Sequence, residues 1–128
     1  MLSKFLFLCA TLLLPTLASA GEYEARLWQR LEDYADGKLR INAQSGQDLF
    51  DVCGALVLHT FTEQQRSLYL AGQDDGEYDF RVNFCAKAVV NVTIPQPEFS
   101  PDNQHLRDLA CSAGVDFITN ICVKFLER

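Results

Sequence analysis

"LACSAGVDFITNICVKFLER", residues 109–128, carries Cys111 and Cys122 eleven residues apart, and the partners of these two sulfurs decide the architecture. Leu106, Leu109, Ala110, Ala113, Phe117, Ile121 and Phe125 recur at helical spacing through and just before it, so residues 102–127 are expected to form one helix with a buried stripe. Ser100-Pro101 opens that helix, with proline at its first position. Eleven helical residues span about 16 Å, and a disulfide needs Cα atoms within about 7 Å. Cys111 and Cys122 are therefore expected to share one face, out of each other's reach, each bonded to a different helix.

Upstream segments also read as helices. In "EYEARLWQRLEDYADGKLR", Tyr23, Leu27, Leu31 and Tyr34 share a face, and Gly37 is placed to end the helix. In "SGQDLFDVCGALVLHTFTEQQRSLYLAGQ", Ser45 is expected to cap a helix, with Asp48 three residues on completing a capping box. Leu49, Val52, Cys53 and Leu56 form its apolar face. Thr62 followed by Glu63, Gln64 and Gln65 is a second capping signal, which predicts a break near 60–62 and a shorter helix ending around Gly72. "LVLHTFT" also alternates as a strand would. Tyr78, Val82, Cys85, Val89 and Val92 make a further helical stripe, which outweighs the strand preference of "VVNVTI". Pro95 and Pro97 stop that helix.

The fold class is therefore all-α, a small disulfide-stapled bundle of four to five helices. Taking the helices as antiparallel in chain order, Cys53 and Cys111 both lie near helix starts. Cys85 and Cys122 lie farther along theirs. This register favours Cys53–Cys111 and Cys85–Cys122.

Residues 1–20, "MLSKFLFLCATLLLPTLASA", have the order of a cleaved signal peptide: Lys4, an apolar run, Pro15, then Ala18-Ser19-Ala20. The apolar run is about half of the roughly 20 residues that span a bilayer, so no stable membrane anchor is expected. Cleavage leaves residues 21–128 as a single helical domain, periplasmic or extracellular. Losing Lys4 takes the net charge from −6 to −7. Such a chain repels nucleic acid and favours a basic protein partner. Four cysteines in a small exported chain read as two disulfides. A zinc site would want closer pairs or neighbouring histidines, and neither is present. No cofactor is implied.

Candidate chemistry is sparse. His105 with Asp108 and Ser112 is the nearest thing to a nucleophilic set, but Ser112 is expected inside a helix with no sharp turn to expose it. His59 is expected at the edge of the core. With the cysteines assigned to disulfides, no catalytic residue is assigned and the chain is read as a non-enzyme. Asp74, Asp75, Glu77 and Asp79 lack the ligand order of a calcium loop. They read either as solvated helix-start acidity or, with Tyr78 and Phe80 among them, as a contact surface for a basic cleft. The partner-binding candidates are Asp74, Asp75, Glu77, Tyr78 and Asp79.

"SGQDLFDVC", residues 45–53, resembles the opening of the periplasmic immunity proteins that neutralise type VI secretion effectors, many of them small, helical and disulfide-bonded. The chain departs from that pattern after Cys53, so no toxin-contact residue carries over. The resemblance implies a partner enzyme from a competitor. Three function classes are weighed: an exported inhibitor or immunity protein acting through protein binding, a carrier of a small apolar ligand within the bundle, and an enzyme, against which the few bases and nucleophiles argue; a structural periplasmic protein is a further alternative to the first.

Overall fold

The structure, a computed structural model, describes residues 21–127. The expected signal peptide lies outside the described residues. Among them there are six α-helices and no strand. Helix α1 covers 21–35, α2 Ala43–Thr60, α3 Glu63–Leu70, α4 Glu77–Asn91, α5 Gln104–Cys111 and α6 Asp116–Ile121. Two 3-10 turns, Pro97–Phe99 and Pro101–Asn103, lead from α4 into α5, and a π-helical turn, Cys122–Leu126, continues α6. Both segments that allowed a strand reading are helical, up to Thr60 and Asn91.

Most helix ends follow local chemistry. Helix α1 gives way to a turn in which Gly37 takes φ +77°. The break at 60–62 is present. Thr62 and Gln65 form a reciprocal capping box, with bonds of 3.1 and 2.9 Å. The start of α2 differs from expectation. Asn42 caps it, accepting from the backbone amides of Gln44 and Ser45 at 3.0 and 2.9 Å, so Ser45 lies inside the helix. Asp48 is free of capping duty and binds across to α1. Its carboxylate accepts from Arg30 at 2.9 and 2.7 Å and from the Tyr34 hydroxyl. A charge-assisted clasp on another helix replaces a local backbone bond.

The core is built from the predicted stripes. Leu31 and Tyr34 from α1, Leu49, Val52, Cys53 and Leu56 from α2, and Val82, Cys85 and Val89 from α4 are all buried. Each such aliphatic side chain contributes about 1.5–3 kcal/mol by leaving water. Helix α2 packs extensively on α4, and α6 with its π-turn packs on α4 through Phe117, Ile118, Ile121 and Phe125.

The disulfides overturn the expected pairing. The bonds are Cys53–Cys85 and Cys111–Cys122, each with Cα atoms 5.9 Å apart. The single long helix does not form. Helix α5 stops at Cys111, the Ser112 hydroxyl donates back to the Asp108 carbonyl at 2.8 Å, and Gly114 adopts φ +79°. The chain reverses there and α6 starts at Asp116, whose charge suits a helix N-terminus. The reversal folds eleven residues back on themselves and brings Cys111 to Cys122. With Cys111 and Cys122 joined to each other, Cys53 pairs with Cys85. Cys53 sits past the middle of its helix, level with Cys85 just past the middle of α4.

The split also changes the expected buried stripe. Phe117, Ile121 and Phe125 are buried, whereas Leu106 is 62% and Leu109 55% exposed, and Ala113 lies on the surface.

Candidate functional site

Two surfaces on α4 and its neighbours carry the chemistry. The first is the acidic lip that opens α4. Its five predicted residues divide into two groups. Asp74 accepts from the Tyr78 backbone amide at 3.0 Å and so fixes the first turn of α4, whose N-cap, Gly76, has no side chain to do so. Glu77 binds Arg81 Nε at 2.8 Å. Arg81 is only 8% exposed and stacks on Phe61, 5.0 Å from its ring centroid, so Glu77 neutralises a buried cation. Tyr78 turns inward. Its ring lies 4.3 Å from that of Tyr69, its hydroxyl sits over Gly54, and burial pushes its pKa up. Asp75 and Asp79 remain exposed, and next to Asp79 stands Phe80, 56% exposed. The lip is thus two outward carboxylates and one aromatic ring on a turn held rigid by the other three.

The second surface is a groove of about 430 Å³ between α4 and the segment from the 3-10 turns to α5. Its walls have one pattern written twice. Phe80, Asn83, Phe84 and Lys87 face it from α4, and Asn103, Leu106, Arg107 and Ala110 face it from the start and length of α5. Each set is an i, i+3, i+4, i+7 stripe, the spacing with which one helix meets another. Here the stripes face each other without meeting. Phe99, from the intervening turn, packs edge-on against Phe84 with centroids 5.6 Å apart, and Lys87 reaches Glu98 at 2.8 Å. These contacts, with the Cys111–Cys122 bond at the far end of α5, set the width of the gap.

The sequence reading missed this groove because it assigned Leu106 and Leu109 to the core. The matched spacing of 80/83/84/87 and 103/106/107/110 was the available signal. A stripe does not reveal whether anything covers it.

The remaining candidates have ordinary roles. The Asp108 carboxylate accepts from Gln104 at 2.8 Å, while the Ser112 hydroxyl is spent on the Asp108 and Leu109 carbonyls. Nothing here polarises that hydroxyl as a nucleophile. His59 lies 3.4 Å from Glu24 and edge-on to Tyr23. Among the described residues no three His, Cys, Asp or Glu side chains are grouped to hold a metal ion, and no helix is long and apolar enough to cross a membrane. The chain matches no protein-family model, no curated protein and no solved structure.

Proposed function

We propose that this chain is an exported protein-binding domain that blocks another protein, in the manner of an inhibitor or periplasmic immunity protein. The observation that carries the reading is the acidic lip. Exposed Asp75 and Asp79 flank a helix start whose geometry is fixed by the Asp74 bond, the Glu77–Arg81 pair and the Tyr78–Tyr69 stack. A rigid, charged edge with one aromatic anchor loses little conformational freedom on binding, and its carboxylates steer a basic partner. Two disulfides suit an oxidising compartment outside the cytoplasm. The overall negative charge acts in the same direction.

The test separates binding from folding. Immobilised oxidised protein is exposed to periplasmic extract from competing strains, and retained proteins are eluted with salt and identified. A basic protein is expected to be held by the wild type and lost with Asp75→Ser/Asp79→Ser/Phe80→Ser, whose three positions are all exposed. Asp74 and Glu77 are left unchanged because they support α4. Equal retention of that protein by the triple variant removes the lip as the binding surface.

A further inference from the structure

We propose that the groove between α4 and α5 binds a small apolar molecule bearing one carboxylate, such as an acyl or aryl acid. This inference does not rest on the protein-binding reading, and the purified chain alone tests it.

The size of the gap limits the occupant. About 430 Å³ falls within the range of small-molecule sites. A molecule of that size meets Phe84 and Phe99 on one side and Leu106 and Ala110 on the other. Its apolar lining comes from Phe80, Phe84, Phe99, Leu106 and Ala110. Phe80 and Leu106 are each more than half exposed, and their apolar area leaves water when the groove fills.

The charges decide the head group. Three ionised side chains line the groove. Lys87 and Glu98 hold each other at 2.8 Å, so neither calls for a counter-ion. Arg107 is placed differently. Its side chain is only 25% exposed, and its ion pair with Asp108, an exposed neighbour on its own helix, is 3.9 Å long, beyond hydrogen-bonding distance. Arg107 lines the same groove as Phe80, Phe84 and Phe99, and its long ion pair leaves donors for an incoming anion. Its planar fork matches a carboxylate with two parallel bonds. A cationic or neutral ligand of the same shape gains nothing there.

Calorimetric titration of the oxidised chain with decanoate, decanol and decylamine, each below its micelle concentration, tests the assignment. Saturable one-to-one binding of decanoate is expected, about tenfold tighter than decanol, as one charge-assisted pair implies. Arg107→Gln should remove that preference and leave decanol unchanged. Leu106→Ser, at an exposed position, should weaken both ligands without changing the helical circular-dichroism spectrum. Equal affinity for decanoate and decanol, or a preference that survives Arg107→Gln, overturns the head-group assignment. No saturable binding of any of the three overturns the site.

Discussion

Gly54 lies beneath the Tyr78 hydroxyl, so close that a Cβ added there runs into it. Glycine inside α2 costs about 1 kcal/mol of helix propensity relative to alanine. Its presence makes room for a ring that closes α2, α3 and α4 together, because Tyr78 also stacks on Tyr69. Gly54→Ala should gain that propensity and lose more by overpacking, which costs about 1–3 kcal/mol. The expected result is a net loss of about 1 kcal/mol in urea unfolding, together with a weakened Tyr69–Tyr78 contact seen in near-ultraviolet dichroism. A more stable variant would mean that the ring swings aside freely. The same crowding explains why Tyr78, read from sequence as an outward anchor, points inward while Phe80 does not.

Helix α5 is eight residues long and has no fully buried residue. Helices that short are marginal in water when isolated, so its position depends on its ends. One end is held by the 3-10 turns and the other by Cys111–Cys122. In the chain-entropy model this eleven-residue loop is worth about 3 kcal/mol and the 32-residue Cys53–Cys85 loop about 4 kcal/mol. The two should nevertheless fail differently. Cys111→Ser/Cys122→Ser should leave the α2–α4 core folded but expose the Arg107 bond to trypsin and abolish decanoate binding. Cys53→Ser/Cys85→Ser should lower the midpoint of the whole unfolding transition. Equal trypsin protection at Arg107 with and without the Cys111–Cys122 bond would show that α5 is held by packing alone.

For the whole molecule, the Arg30–Asp48–Tyr34 clasp ties α1 to α2 and sets a pH dependence. The Tyr34 hydrogen bond, aided by Arg30, holds the Asp48 carboxyl below its ordinary value. A depressed carboxyl contributes stability above its unfolded pKa of about 3.9, and that contribution disappears as pH falls through the lower folded value. Burial raises the pKa of both Tyr34 and Tyr78. Their contribution is complete below about pH 10 and is lost as pH rises through the folded values. The urea midpoint should therefore fall at both extremes. Asp48→Asn should be less stable than wild type at pH 7, and the difference should begin to shrink below about pH 4 and close as pH falls through the lower folded value. A difference that persists there would assign the effect to packing rather than charge.

Helical periodicity in the sequence was enough to determine the all-α class, the α2–α4 stripes and the break at Thr62, because those signals are local and repeat every turn. It also marked the acidic lip, but not which carboxylates face out. The disulfide partners were settled by the tertiary structure. They turn on the break between α5 and α6, where Gly114 takes a left-handed conformation, so that Cys111 meets Cys122 and Cys53 is left to Cys85. The groove too exists only in three dimensions. Leu106 in a core and Leu106 in an open seam have the same helical spacing, and only the distance to α4 tells them apart.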